Sequence, residues 1–203
     1  MTQTMPKVQW KGRQMLRLRR LLTALSIGVA IAPLQPTAAQ TQASTSIRHG
    51  QHDFDWEIGT WTTKVRVLRN PLSGKPPEWA EYQGTSVVKP LMNGRWNLVE
   101  LSVAGPTGTI EGGALRLYNP KSGQWSLNYA SLGNGLLTAP VYGSFDGRGV
   151  GRFYGSDTLD GRAILVRFVI TPKSASQAEF EQAYSADGGV TWETNWFATD
   201  TRR

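Results

Sequence analysis

Four carboxylates in this sequence stand among apolar and aromatic residues, where an acidic side chain can do acid/base chemistry. They are Glu100, Asp157, Glu181 and Glu193. A carboxyl group enclosed by apolar side chains resists ionisation, and its pKa then approaches the neutral range that a general acid or base needs. The competing interpretation is that all four face solvent, because charged strand residues are usually exposed. The residues alone leave both placements open, and we assign no catalytic residue.

Histidine and cysteine, the residues most used for metal ligation and nucleophilic catalysis, are scarce in this chain. There is no cysteine, and the two histidines are His49 and His52. A Ser-His-Asp triad would therefore lack its histidine in the body of the domain, and haem or structural zinc would lack their common ligands. The sequence predicts no metal site and no cofactor.

The segment SADGGVTW, residues 185–192, has the residue spacing of the Asp box found in sialidase propellers. A propeller carries such a motif in several blades, whereas it occurs once here, and the chain is short for a propeller of four-stranded blades. The residue types also suit a turn, because Asp187 can accept backbone N–H bonds and the two glycines tolerate positive φ. We interpret the segment as a hairpin between two strands and not as part of a glycosidase site.

The basic charge of the chain is concentrated at its N-terminus. The formal net charge is +7, but residues 1–39 hold six basic residues and no acidic one. The rest of the chain carries 16 basic and 15 acidic side chains, which is a net charge of +1. Because this part has no basic surface to neutralise phosphates, nucleic acid is not an expected partner.

Residues 1–39 have the three-part order of a secretory signal peptide. A basic region ends at Arg20, an apolar stretch of 14 residues covers 21–34, and the small residues Thr37 and Ala39 follow. That stretch is shorter than the about 20 residues of a membrane-spanning helix, and no later segment is apolar enough to span a bilayer. We expect cleavage after Ala39, no membrane span in the mature protein, and a periplasmic or secreted location.

The mature chain is expected to contain one domain. Residues 40–52 are polar and aperiodic, as in a flexible leader, and residues 53–203 form the domain. HDFDWEIGTW predicts one helical turn with Asp53 as its N-cap and Gly59 as its end. Short apolar runs separated by turn residues follow and predict about ten strands. The strands are expected at residues 60–68, 79–91, 95–104, 112–119, 124–132, 140–145, 150–159, 162–171, 177–185 and 191–201.

Strands joined by such short turns form an antiparallel up-and-down meander. A meander of this length avoids exposed edges by closing into a barrel, whereas a two-sheet sandwich would need longer crossover connections. The predicted fold class is therefore all-β, a single meander barrel of about ten strands. A barrel of eight to ten strands has a bore for packed side chains or one small ligand.

The last two predicted strands indicate which residues face the interior. If Tyr184 pairs near Trp192, Gln182 lies opposite Thr194 and Phe180 lies opposite Trp196. This aromatic face with one amide suits the wall of a ligand pocket.

The other face of the same pair carries Glu181 opposite Asn195, with Glu193 nearby. We expect this face to be solvated. A shift of one residue in the pairing would exchange the faces and put Glu181 and Glu193 inside the barrel.

Two arginines alternate with apolar residues in the middle of predicted strands. Arg116 and Arg167 are expected to point outwards, because their apolar neighbours form an inward set. That set is Leu115, Leu117, Ile164, Val166, Phe168 and Ile170. An alternative is that Glu100 or Asp157 points inwards and orients the polar group of a ligand.

Gly59-Thr60-Trp61, at the start of the first strand, resembles the Gly-Xaa-Trp signature of lipocalins and their calycin relatives. In that superfamily the tryptophan closes one end of the barrel and an arginine from the chain end packs across it. The resemblance implies that Arg202 or Arg203 forms this cation–π contact here.

More of the chain is similar to a bacterial lipocalin-like family of unknown function. The matching stretches are FDWEIGTW, ALRLYNPKSGQWSL, FYGSDTLDGRAILVRF and EQAYSADGGVTWETNW, which together span roughly residues 54–197. The resemblance implies a lipocalin-like barrel and brings no activity, since a fold alone does not define a function.

An aromatic-rich barrel of this size predicts binding of a small, largely apolar molecule, and the sequence sets no oligomeric state. The expected ligand-binding residues are Trp61, Trp96, Glu100, Tyr129, Tyr154, Phe180, Gln182 and Trp196. One alternative is a barrel enzyme, such as an isomerase, cyclase or hydrolase, that uses an inward carboxylate. Another is a filled barrel that acts through its surface. A cavity of about 300 Å³ or more would favour ligand binding over the filled barrel.

Overall fold

A computed structural model of the protein describes residues 49–203, all within the unit Ser44–Arg203. The predicted signal peptide and residues 40–48 of the predicted leader lie outside the described residues. A 3-10 helix, Asp55–Glu57, comes first in the described part. The strands are β1 Gly59–Leu68, β2 Trp79–Leu91, β3 Trp96–Gly105, β4 Gly108–Asn119, β5 Gln124–Ser131, β6 Leu136–Leu137, β7 Val141–Phe145, β8 Gly151–Leu159, β9 Arg162–Ser174, β10 Gln177–Ser185 and β11 Glu193–Arg202.

These strands close into one antiparallel barrel, which confirms the predicted fold class. The neighbours run β4-β3-β2-β1-β11-β10-β9-β8-β7-β5, and β4 pairs with β5 to complete the ring. The two-residue β6 pairs only with the end of β5. Closure leaves no long unpaired edge among the strands of the ring, which is the physical advantage expected of a meander of this length.

Alternation along β1 shows why these sequences form a barrel wall. Trp61, Thr63 and Val65 are buried, whereas Lys64 and Arg66, at the alternate positions, are exposed. Side chains with a period of two put one set into the interior and the other into solvent.

The hairpin turns use the residues that the sequence indicated. Asn93 and Gly94 have φ of 58° and 77°, and Asp160 and Gly161 have φ of 50° and 78°. Paired positive φ values are those of tight hairpin turns whose twist matches that of the strands.

The predicted helical turn before the first strand is confirmed as the 3-10 helix Asp55–Glu57. Phe54, and not Asp53, takes its N-cap position, with no side-chain cap bond. The Phe54 ring is 1% exposed and packs edge-on against Trp125 and Phe145, with ring centroids 4.9 Å away in both cases. The 3-10 helix therefore plugs the end of the barrel where β1 begins.

The Gly-Xaa-Trp signature has a physical role at this closed end. The expected cation–π contact is made by Arg202, whose Cζ lies 4.2 Å from the centroid of the Trp61 ring. Gly59 has φ of 131°, and a Cβ there would lie 2.8 Å from Arg202 Nη1. Glycine is needed both for the backbone conformation and for the space that the arginine occupies.

Part of the predicted leader packs on the domain. Gly50 is buried, its N–H donates to the Tyr118 hydroxyl (2.9 Å), and its carbonyl accepts from Trp125 Nε1 (2.9 Å). Two hydrogen bonds thus attach Gly50 to β4 and β5.

The segment SADGGVTW forms the hairpin between β10 and β11, as expected. The Asp187 carboxylate accepts hydrogen bonds from the Thr191 N–H (2.9 Å) and hydroxyl (2.6 Å) and from the Ser185 hydroxyl (2.7 Å). These bonds hold the pKa of Asp187 well below its usual range. These hydrogen bonds stabilise the turn that connects β10 to β11.

Within residues 49–203, no helix combines the length and apolarity needed to cross a membrane.

Candidate functional site

The barrel encloses a cavity of about 360 Å³ that opens to solvent at one end. The exposed residues that border it are Thr138, Ala139, Ser156 and Asp157, and we call this border the mouth. The wall is apolar and consists of Val99, Leu101, Ala114, Leu127, Val141, Val166, Phe168, Phe180, Trp196 and Ala198. At the inner end lies a buried polar group, here called the floor, formed by Glu57, Thr63, Ser86, Arg116 and Asp200.

The floor contains a buried ion pair. Arg116 donates through Nη1 to Glu57 Oε2 and through Nη2 to Glu57 Oε1, the latter over 3.2 Å. The two side chains are 4% and 2% exposed, and Arg116 Cζ lies 4.4 Å from the centroid of the Phe54 ring. The 3-10 helix, which carries Glu57, is thereby tied to β4.

The prediction that Arg116 faces outwards is wrong, because its side chain is buried and lines the cavity. The inward residues of β4 are Ala114 and Arg116, and Leu117 is 37% exposed on the outer face. The expectation rested on the larger apolar side chains facing inwards. It failed because the buried carboxylate of Glu57 compensates the guanidinium, so β4 can place a charge in the core.

Asp200 is the second buried acid of the floor. It is 4% exposed, and burial raises its pKa to about 7. The charge of Glu57 adds to this rise, whereas the Thr63 hydroxyl and the charge of Arg116 oppose it. Thr63 in turn shares a hydrogen bond of 2.7 Å with the Ser86 hydroxyl. The floor therefore holds a carboxyl group poised near neutral pH.

Two polar atoms of the floor have no hydrogen-bond partner within the described residues. Asp200 Oδ1 and Arg116 Nε are both fully buried and unpaired. A buried polar atom without a partner costs about 1–3 kcal/mol. A group that enters the cavity and bonds to either atom would recover part of this cost.

A second polar group lies in the wall between floor and mouth. Gln182 Nε2 donates to the Tyr184 hydroxyl (3.1 Å) and to Asn195 Oδ1 (3.3 Å). Burial raises the pKa of Tyr184, so the phenol stays protonated at ordinary pH. Asn195, which we expected on the outer face, is 5% exposed.

A β-bulge explains the position of Asn195. Gln182 pairs with Trp196 and Phe180 with Ala198, but Ala183 pairs with Thr194, so the register shifts between Gln182 and Ala183. The observed pairs differ by two residues from the predicted ones. A shift of two keeps Phe180, Gln182 and Trp196 facing inwards, as predicted, and the bulge adds Asn195 to them.

Tyr129 lies in the cavity lining close to the mouth. Its N–H donates to the Thr138 hydroxyl (3.0 Å), while its carbonyl accepts from the Thr138 N–H (2.8 Å). Residues 138–140, between β6 and β7, belong to neither strand. Pro140 contributes to this interruption because it has no N–H to donate. A Cβ on Gly112 would lie 2.4 Å from the Tyr129 hydroxyl, so the missing side chain lets the ring lie over β4.

Four of the eight expected ligand-binding residues come together in the cavity lining. They are Tyr129, Phe180, Gln182 and Trp196. Three of them lie on the last two strands, where the aromatic alternation indicated the inward face correctly.

The other four expected residues lie away from the cavity. Trp61 is sealed at the closed end beneath Arg202, and Trp96 lies on the outer face because the next residue, Asn97, faces inwards.

Glu100 is exposed, and its carboxylate lies 2.8 Å from Lys89 Nζ. The last of the four, Tyr154, is 48% exposed and packs edge-on against Trp192 outside the barrel. Aromatic residues in strands therefore did not all indicate interior positions.

Of the four candidate catalytic carboxylates, only Asp157 borders the cavity, at the mouth. Glu181 accepts a hydrogen bond from Arg167 Nη2 (3.2 Å), and Arg167 Cζ lies 4.8 Å from the Trp192 ring outside the barrel. Glu193 accepts a hydrogen bond from the Leu72 N–H. The expectation of an outer placement holds for Glu181. Glu193 instead pairs with Tyr184, whose side chain lines the cavity, so the bulge puts the half-buried Glu193 on the inward-facing side of β11, outside the cavity lining itself.

The acids at the floor of the cavity are two that the sequence did not single out, Glu57 and Asp200. A signal for Asp200 existed, because it continues the inward alternation of Trp196 and Ala198 on β11. No comparable signal existed for Glu57, which lies in a non-repeating turn. Among the described residues, no group of three or more metal-ligating side chains is arranged to hold a metal ion.

No protein-family model matches the chain, and no curated protein matches it by sequence. Among solved structures, the S-type phycobiliprotein lyase of Guillardia theta is similar with a TM-score of 0.51 and 11% identity, over 74% of this chain and 90% of that chain. The structure of EF1p2_mFAP2b bound to DFHBI has a TM-score of 0.42 and 13% identity, over 76% of this chain and 99% of that chain. At these identities the likeness to the lyase concerns the fold. Together with the closed ten-stranded ring, it shows that this chain has the fold of a closed antiparallel β-barrel.

Proposed function

We propose that this protein binds a small, largely apolar ligand inside the barrel. The observation that supports this most directly is the cavity of about 360 Å³, which exceeds the lower limit of about 300 Å³ for ligand pockets. Its apolar wall would take the body of such a ligand. The few polar groups at the floor and between Gln182 and Tyr184 would fix its orientation.

The cavity also argues against the alternative of a filled barrel that acts only through its surface. A filled core has packing density near that of a crystal and few voids larger than a water molecule. A void of the observed size lowers the free energy of unfolding relative to a filled core. Its presence therefore favours a barrel that holds a ligand.

Binding can be measured through the tryptophan in the wall. We expect hydrophobic dyes and medium-chain alcohols to bind saturably and to change the fluorescence of Trp196. A Trp196→Phe variant should keep the binding and lose most of the fluorescence change, which would place the ligand in the cavity. Absence of saturable binding by every probe would refute the proposal.

Acid/base catalysis is a second candidate function, and Asp200 is the residue that favours it. A carboxyl group with a pKa of about 7, buried beside an open cavity, has the acidity that a general base needs at neutral pH. This differs from the sequence-based hypothesis, which considered Glu100, Asp157, Glu181 and Glu193. A proton-abstraction probe such as 5-nitrobenzisoxazole would test it.

In that probe reaction the base removes the ring C–H proton while the N–O bond breaks to release a phenolate. Catalysis by Asp200 predicts a rate that rises through about pH 7 and is lost in Asp200→Asn. An unchanged rate in Asp200→Asn would exclude Asp200 as the base.

We further propose that residues 1–39 are a signal peptide cleaved after Ala39, that the mature protein is periplasmic or secreted, and that it belongs to the bacterial lipocalin-like family named above. The charge and apolar order of the first 39 residues support export. N-terminal sequencing of the protein from a periplasmic extract should begin at Gln40. A chain that retains Met1 and stays in the cytoplasm would contradict export.

A further inference from the structure

The charged side chains that border the cavity are mostly acidic. Among the described residues they are Glu57, Asp157, Asp200 and Arg116, which are three carboxyl groups and one guanidinium. Both Nη atoms of Arg116 are already used by Glu57. The remaining acids, Asp200 at the floor and Asp157 at the mouth, form no ion pair among the described residues, although the charge of Arg116 acts on Asp200.

Asp200 has an unpaired acceptor atom beside the cavity. The residue borders the cavity, is 4% exposed, and its Oδ1 has no hydrogen-bond partner in the described part of the chain. A buried carboxylate is stabilised most by a hydrogen-bond donor that also carries positive charge. The floor therefore offers an unpaired acceptor, Asp200 Oδ1, to a ligand donor, beside the unpaired donor Arg116 Nε.

The wall above the floor suits the rest of such a ligand. The rings of Phe168 and Phe180 are inclined by 28°, with centroids 6.4 Å apart, and Trp196 borders the same space. Aromatic faces bind apolar chains and rings, and they also attract cations. An apolar body that ends in a protonated nitrogen matches both the wall and the floor.

We infer that the ligand of this cavity is an amphipathic amine, whose apolar or aromatic body lies against the wall and whose ammonium group donates a hydrogen bond to Asp200 Oδ1. This inference rests on the binding function proposed above. A ligand with a carboxylate end would instead place a third negative charge beside Glu57 and Asp200. A neutral alcohol would satisfy Oδ1 without compensating its charge.

The pairing has a defined pH dependence. The groups that face Asp200 are Glu57 from the 3-10 helix, Arg116 from β4 and the uncharged Thr63 from β1. Burial keeps Asp200 protonated below about pH 7, and a protonated acid gives no charge to the ammonium group. An alkylamine stays protonated up to about pH 10. Amine binding should therefore be strongest between these values and weaken as the pH falls below about 7.

Three matched probes separate this inference from ligand binding in general. They are 4-phenylbutylamine, 4-phenylbutanol and 4-phenylbutyrate, which share one apolar body and differ in the terminal group. By calorimetry at about pH 8.5, we expect the amine to bind at least about tenfold more tightly than the alcohol, and the carboxylate to bind most weakly.

Two variants identify the counter-ion. Asp200→Asn should bring the amine and alcohol affinities to within about threefold, whereas Asp157→Asn at the mouth should leave the preference for the amine nearly intact. If Asp200→Asn does not fold, the wild-type protein still decides. Its preference for the amine should fall several-fold between about pH 8.5 and pH 5.5, because Asp200 becomes protonated over this range.

The outcomes distinguish the two proposals. Equal or tighter binding of the alcohol overturns the amine inference and leaves ligand binding intact. Loss of the preference in Asp157→Asn, with retention in Asp200→Asn, also overturns it, because the amine would then sit at the mouth. Failure of all three probes and of hydrophobic dyes overturns both proposals.

Discussion

Glu57 and Arg116 form a two-point ion pair across the floor of the cavity, where their side chains are 2% and 4% exposed. The pair joins the 3-10 helix to β4, and it defines the inner end of the candidate site. Because both charges are withdrawn from water, each depends on the other.

Breaking this pair should be costly. Arg116→Met removes the guanidinium at similar volume and leaves the Glu57 carboxylate buried and unpaired. We expect a loss of about 3–5 kcal/mol in the free energy of unfolding, measured by urea denaturation near pH 7. The control is Lys89→Met, which breaks the exposed pair with Glu100 and should cost less than about 1 kcal/mol. Equal costs for the two variants would contradict the argument.

Asp200 should make the stability of the domain depend on pH. The pKa of an unperturbed aspartate, as in the unfolded chain, is 3.8, whereas that of Asp200 in the folded protein is about 7. The folded state therefore retains a proton that the unfolded chain releases between these pH values. This contribution to stability is fully present below about pH 4, declines as the pH rises towards 7, and is lost above about pH 7. Relative to Asp200→Asn, the wild-type protein should lose about 3 kcal/mol between about pH 5 and pH 8.

Urea unfolding of the two proteins at both pH values measures this difference, and the remaining carboxyl groups cancel in the comparison. A wild-type curve parallel to that of Asp200→Asn would show that Asp200 titrates normally. Bound amine should reverse the trend, because it stabilises the ionised form.

The cap on the closed end should require arginine at position 202. Arg202 Nη1 donates to the Ile58 carbonyl (2.9 Å) and Nε donates to the Ala175 carbonyl (3.0 Å), while the guanidinium plane covers Trp61. Lysine keeps the charge and loses the planar, multiple-donor geometry. We expect Arg202→Lys to cost about 1–3 kcal/mol by thermal or urea unfolding.

Arg203→Lys is the matched control for this change. The Arg203 side chain donates to the hydroxyls of Thr62 and Thr85 in exposed positions, and its replacement should cost less than about 0.5 kcal/mol. If both variants behave alike, the stacking on Trp61 contributes little.

The barrel could be predicted because its determinants are local. Turn pairs such as Asn93-Gly94 and Asp160-Gly161 mark strand ends wherever the chain adopts positive φ, and closure follows from the number and short spacing of the strands. The contact of Arg202 with Trp61 could be anticipated only through the resemblance to calycins, since these residues are far apart in the chain.

The floor could not be predicted because it depends on partners that are distant in sequence. On β4, either Leu115 and Leu117 or Ala114 and Arg116 can face inwards by alternation alone, and only the buried Glu57 decides. Asn195 was misplaced for another reason. A bulge of one residue on β11 cannot be read from alternation, and it moves one side chain to the opposite face.

Filling the cavity should abolish ligand binding without unfolding the barrel. Ala198 is 5% exposed and borders the cavity on β11, so the ring in Ala198→Phe would enter the space proposed for the ligand. A large side chain in a packed core costs about 1–3 kcal/mol, but an open cavity of about 360 Å³ leaves room for the ring. We expect at least about tenfold weaker dye and amine binding by calorimetry, with the unfolding midpoint within a few degrees of wild type. The control Thr199→Phe adds the same ring to the outer face of the same strand and should leave binding unchanged. Equal affinities for Ala198→Phe and the wild-type protein would mean that the ligand binds outside the barrel.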